Sequence, residues 1–159
     1  MKNYLKYFAI VGILFISCVQ DSKPFAVFVG SSPCGNIIKP LLGIKDENEC
    51  EFTKWSLTLY PQNTNAPSAV KLVYRYGIGK PNTSGFVDER NAEFAGHWTI
   101  QKGTQTKPEA TVYQVTLYGV DKNLLFVKLS DKAIHLLDSQ RNLMIGNSGH
   151  SYTFSKAKP

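Results

Sequence analysis

The chain has 159 residues, of which 43% are hydrophobic, 12% aromatic and 19% charged, with a formal net charge of +6. That length suits one compact domain. Nine Phe, eight Tyr and two Trp beside a modest charge fraction exclude a disordered chain, and the composition excludes a collagen-like or coiled-coil one.

In chain order, the first signal is a basic start, Lys2 and Lys6, followed by the apolar run Phe8 to Ile16. Such a run fits the h-region of a signal peptide and is too short to span a bilayer, which needs about 20 apolar residues. It closes on Phe15-Ile16-Ser17-Cys18, which resembles the lipobox of bacterial lipoproteins, with Phe15 where Leu is usual. The resemblance implies cleavage before Cys18 and a thioether-linked diacylglycerol, usually with an added N-acyl chain, on that cysteine. Several acyl chains anchor stably where one binds only reversibly. Two other readings compete: an ordinary secretory signal with an incidental cysteine, and an uncleaved anchor. Residues 1–17 are thus read as a lipoprotein signal peptide, 18–24 as a lipidated polar tether and 25–159 as the folded domain. The expected location is the bacterial cell envelope, lipid-anchored, at the outer membrane.

Without residues 1–17 the chain keeps 16 basic and 12 acidic residues, a net +4. The lysines are spread from Lys23 to Lys158 with no basic run, so the sequence indicates neither a nucleic-acid footprint nor a polybasic membrane patch. With Cys18 assigned to lipid, Cys34 and Cys50 remain as an even pair in an oxidising compartment, which points to a disulfide. Closing that loop is worth on the order of 3 kcal/mol in the chain-entropy model. Two free thiols, or one thiol serving a metal, are the alternatives. Zinc fits poorly, because there is no Cys-x-x-Cys or His-x-x-x-His pair and His97, His135 and His150 are scattered.

The folded domain reads as short strands. Trp55, Leu57 and Leu59 alternate onto one face, and so do Val70, Leu72, Tyr74 and Tyr76; Phe94, Gly96, Trp98 and Ile100; Tyr113, Val115 and Leu117; and Leu125, Val127 and Leu129. Shorter segments follow at Ile134 to Asp138, Leu143 to Ile145 and Ser151 to Ser155. Turn residues separate them at Pro61 to Pro67, Gly79 to Asn82, Lys102 to Pro108, Gly119 to Asn123 and Gly146 to Gly149. This spacing predicts an all-β, antiparallel sandwich or barrel. Residues 35–48 could form a strand or a brief helical turn, with Pro40 interrupting either.

Phe28-Val29-Gly30-Ser31-Ser32-Pro33-Cys34-Gly35-Asn36-Ile37-Ile38, then the aliphatic stretch from Leu41 to Ile44, resembles the start of the N-terminal domain of NlpE-type copper-homeostasis lipoproteins. Gly96-His97-Trp98, the segment Leu136 to Leu143 and the closing Tyr152-Thr153-Phe154 are similar to further short motifs of that family, so the likeness spans roughly residues 28 to 155. It implies a single small lipocalin-like antiparallel barrel with an envelope-stress or copper-related role. The chain departs from the family at Ile37, where the second cysteine of a Cys-x-x-Cys would stand. Without paired soft ligands, Cu(I) selection is not carried over, and no metal or other cofactor is expected.

No catalytic residue is expected either. Cys34, Ser151 and the three histidines lack a nucleophile-elbow setting, and the acidic groups Asp46-Glu47, Glu49, Glu51 and Asp88-Glu89 read as solvated loops. Tyr74, Tyr76, Trp98 and Tyr113 are the candidate binding residues. They fill the interior of a small barrel or line a cavity for one apolar ligand, since eight strands enclose room for either. The expected function is non-catalytic: a sensor or interaction module of envelope or metal homeostasis, partnered by an envelope protein, with a carrier of a small apolar ligand as the alternative. A sensor would place its key residues at Cys34 to Ile38 and the mouth loops, and a carrier would need an internal void.

Overall fold

The computed structural model describes residues 23–61 and 68–158. The signal peptide, Cys18 and most of the tether lie outside them, as does most of the Pro61 to Pro67 turn. Eight strands make up the domain: β1 Ala26–Pro33, β2 Phe52–Leu59, β3 Ala69–Gly79, β4 Phe86–Lys102, β5 Thr111–Leu117, β6 Leu124–Ser130, β7 Ala133–Leu137 and β8 Thr153–Lys156. One helical turn, α1 Ile38–Leu41, lies between β1 and β2. Each strand pairs antiparallel with the next, and β8 returns to β1, closing an eight-stranded barrel.

Closure follows from the period-two pattern, because every strand has an inward apolar face and a sheet closed on itself leaves no edge. Phe28, Trp55, Leu57, Leu72, Val115, Phe126, Leu136 and Phe154 are among the buried residues of one central cluster. Two glycines make close approaches possible. A Cβ on Gly96 would sit 2.0 Å from the carbonyl oxygen of Thr116, and one on Gly30 would sit 2.7 Å from the Phe154 ring.

The strand connections divide the barrel into two ends. At the entry end, the Phe25 N–H bonds the Leu59 carbonyl as the chain enters β1, and the β2–β3, β4–β5 and β6–β7 connections gather there. The cap end holds the β1–β2, β3–β4, β5–β6 and β7–β8 connections.

Three local expectations are corrected. Leu125, Val127 and Leu129 do not line the interior: Leu124 and Phe126 are the core residues of β6, and Leu129 is exposed. Val127 is buried on the other face, with Val112 and Leu137, in a second small cluster. Asp88-Glu89 lies within β4 rather than in a loop, with Asp88 at a φ of 52°. Leu143 to Ile145 forms no strand, and only an isolated bridge joins Leu143 to Leu137.

The second cluster is flanked by the β7–β8 connection. Asp138 organises it, its Oδ1 accepting the N–H groups of Gln140 and Asn142, each at 2.9 Å. Burial alone would raise the Asp138 carboxyl, but these bonds from Asn142 and Gln140 outweigh it and hold the group below its ordinary value. Arg141, at a φ of 67°, then donates to the Lys102 carbonyl at 2.7 Å, the Gly103 carbonyl at 2.8 Å and the Gln101 side-chain oxygen. The connection is thereby strapped to the β4–β5 hairpin.

Candidate functional site

The segment between β1 and β2 caps one barrel mouth. Pro40 is accommodated in the third position of α1, near a helix start, where its missing N–H removes no required bond. Gly43 follows at a φ of 66°, the left-handed conformation that suits glycine after a helical turn. The turn drives Ile38, Leu42 and Ile44 into the central cluster, and Ile38 and Leu42 are fully buried. Cys34 and Cys50 form the expected disulfide at the base of this cap. Cys34 is therefore unavailable as a free nucleophile or soft ligand.

The four aromatic candidates are all buried, and the fold separates them into two pairs. Tyr74 and Tyr76 sit under the cap with ring centroids 5.9 Å apart, Phe94 stacking on Tyr74 at 6.0 Å. The Tyr74 hydroxyl donates to the Leu42 carbonyl at 2.6 Å, and the Asn48 amide donates to the Tyr76 oxygen at 3.3 Å. Trp98 and Tyr113 meet edge to face at 5.5 Å toward the entry end, where the Trp98 indole N–H bonds the Tyr60 carbonyl at 2.8 Å. In the same central cluster, Trp55, Phe126 and Phe154 make mutual edge-to-face contacts with centroids 5.1 to 6.4 Å apart. Among the described residues, every buried side-chain polar atom has a hydrogen-bond partner. The Trp55 indole is one example, donating to Ser32 Oγ at 3.0 Å.

Burial pushes the Tyr74 hydroxyl from its ordinary value of 10 up to about 12, with neighbouring Tyr76 adding to the shift. The phenol is thus held as a donor to the cap. Its folded value lies above its unfolded one, so the associated stability is full below about pH 10 and is lost as pH rises through about 12. Denaturant unfolding at about pH 11 should show roughly 1 kcal/mol less stability than at neutral pH from this group. Tyr74→Phe should remove that increment of pH dependence.

Outside the barrel, a groove of about 620 Å³ runs between the cap and the ends of β5 to β7, with Ile37, Pro40, Leu41, Leu125 and Leu137 on its apolar side and Lys122 and Asp138 on its polar side. Ile37 is 54% exposed, and Leu143 and Ile145 on the neighbouring connection are exposed as well. A smaller pocket of about 410 Å³ at the entry end is bordered by Phe25, Pro61 and Trp98.

The histidines are dispersed. His135 uses both ring nitrogens, at 2.9 Å each, on Thr153 Oγ1 and the Met144 carbonyl. His150 stacks on Phe52 at 4.4 Å, and His97 lies 6.2 Å from the Tyr118 ring. Among the described residues, no three His, Cys, Asp or Glu side chains come together as a metal site.

The groove, the Asn48 contact and the Arg141 strap are not foreseen from sequence. Ile37 was visible only as an exception to a cysteine motif, and nothing local marks Arg141 as a long-range anchor. Comparison with family models, with curated proteins and with solved structures finds no match to this chain.

Proposed function

We propose that this is a lipid-anchored, non-catalytic protein of the bacterial envelope, of the NlpE type, that acts as a sensor or interaction module through its outer surface at the cap end. The observation that carries this reading is the disulfide-closed cap. It fills a barrel mouth with Ile38, Leu42 and Ile44 while presenting Ile37 beside an apolar groove. A rigid scaffold that buries most of its aromatic residues in its own interior and leaves aliphatic residues at the cap mouth fits recognition of a protein partner. The carrier reading has less support, since Trp55, Phe126 and Phe154 fill part of the barrel interior in mutual contact.

The lipid anchor is tested by Cys18→Ala in the native host. The variant should accumulate unprocessed or leave the acylated membrane pool. Unchanged processing and unchanged acyl labelling would overturn this part of the proposal.

A further inference from the structure

Lysines that are scattered in the sequence converge in the fold. The β4–β5 connection carries Lys102 and Lys107, the β6–β7 connection is flanked by Lys128 and Lys132, and the chain end carries Lys156 and Lys158. Lys128, Lys132, Lys156 and Lys158 belong to the entry end, where Lys23 also precedes β1, and the β4–β5 hairpin starts there before it meets the Arg141 turn. Backbone bonds knit part of the set together: the Lys156 N–H bonds the Lys132 carbonyl at 2.7 Å, and the Ala157 N–H bonds the Val27 carbonyl at 2.8 Å.

Only two carboxylates, Glu109 and Asp131, share this end among the described residues. They lie 3.9 Å from Lys102 and 2.6 Å from Lys128. Neither Lys107, Lys132, Lys156 nor Lys158 has a carboxylate partner within salt-bridge distance among the described residues. The cap end is different, for Asp46, Glu47, Glu49, Glu51, Asp121 and Asp138 lie there beside lysines such as Lys39 and Lys45. The barrel is therefore polarised along its axis, positive where the chain enters.

The same end shows apolar surface. Phe25 stacks on Trp98 at 5.5 Å and is still 49% exposed, and Ile100 nearby is 61% exposed. Cationic side chains around an aromatic and an aliphatic tip match the chemistry of a bilayer interface. Cys18 lies five residues before Lys23, and five residues span at most about 18 Å when fully extended. An acylated Cys18 would hold this end within about two Debye lengths of the headgroups at physiological salt.

We infer that the entry end of the barrel is a membrane-docking face that takes anionic phospholipid headgroups on its lysines and seats Phe25 and Ile100 at the interface. The inference rests on the lipid-anchor reading for its geometry. It leaves the cap end pointing away from the bilayer, open to a partner. The sequence alone indicated no polybasic patch, because the lysines come from two separate connections and the two ends of the domain, which only barrel closure brings together.

The test uses the chain from Lys23 to Pro159, which contains all eight strands, the cap and its disulfide and closes its own barrel. Sedimentation with vesicles of phosphatidylglycerol and phosphatidylcholine in equal parts should show salt-sensitive binding, and phosphatidylcholine vesicles should not bind. Each lysine near an anionic surface is worth about fivefold in affinity. The triple variant Lys132→Gln, Lys156→Gln, Lys158→Gln should therefore lose on the order of a hundredfold. The variant Lys39→Gln, Lys45→Gln, Lys80→Gln, with the same net charge but altered at the cap end, should bind as the unmodified domain does. Absence of binding to the anionic vesicles, equal binding to both vesicle types, or equal losses in both triple variants would each overturn the docking face. Because this chain lacks Cys18, those outcomes are independent of the acylation test.

Discussion

Phe154→Ala should lower the unfolding free energy by about 3 to 5 kcal/mol, the range for deleting a buried aromatic side chain. Phe154 is 1% exposed and touches Trp55 at 5.1 Å and Phe126 at 5.6 Å between ring centroids, linking the last strand to β2 and β6 across the interior. The loss should fall in the upper part of that range because β8 is held weakly by its backbone. It shares two register pairs with β1, Phe28 with Lys156 and Val29 with Ser155, and three with β7. Equilibrium urea unfolding measures the effect, with a lowered midpoint and a similar m value. A loss below about 1 kcal/mol would mean that the seam does not depend on this ring.

Replacing both Cys34 and Cys50 by serine should cost about 3 kcal/mol, and its signature should differ from that of Phe154→Ala. The crosslink acts mainly on the unfolded chain, so its removal should raise the m value as the denatured state expands. In the native state the cap retains other attachments. Ile38, Leu42 and Ile44 remain in the core, and Tyr74 still donates to the Leu42 carbonyl. The barrel should therefore stay folded at neutral pH, with amide exchange accelerated first between residues 35 and 49. Uniform acceleration across β2 to β7 would instead show that the cap and barrel unfold as one unit.

Much of the barrel was legible because its strands obey a strict two-residue period where one face meets water. Trp55, Leu57 and Leu59, for instance, face inward as their alternation requires. Legibility failed where both faces are apolar. In β6, Val127 is buried outside the barrel against Val112 and Leu137, so alternation placed the inward face one residue out of register. It failed again at Asp88-Glu89, where β4 continues through an irregularity that shifts its register with β3 between Tyr76 and Ile78, and polarity imitated a loop. Residues 35–48 could not be assigned because an aliphatic run broken by proline carries no decisive period. What fixes that run is its burial over the barrel mouth.

Of the candidate site, Cys34 and Cys50 could be paired from compartment and parity, and the disulfide is present. The aromatic residues were recognisable as inward-facing, but their division into a cap pair, Tyr74 with Tyr76, and an entry pair, Trp98 with Tyr113, is a property of the closed register. The groove beside Ile37 and the gathering of Lys128, Lys132 and Lys156 at one end depend on which connections share an end, which only the topology decides.

The central claim, an anchored scaffold that works through its surface, is tested most directly by a native mass spectrum of the full-length protein extracted in mild detergent from its own envelope, with and without added Cu(I). The expected mass is that of the chain from Cys18 with its acyl groups and without the two hydrogens lost to the disulfide, unchanged by copper and free of any further small molecule. A stoichiometric apolar ligand would contradict it and move function inside the barrel. A chain that begins elsewhere without acyl groups, or a one-to-one copper adduct, would contradict the anchor or the metal-independent reading respectively.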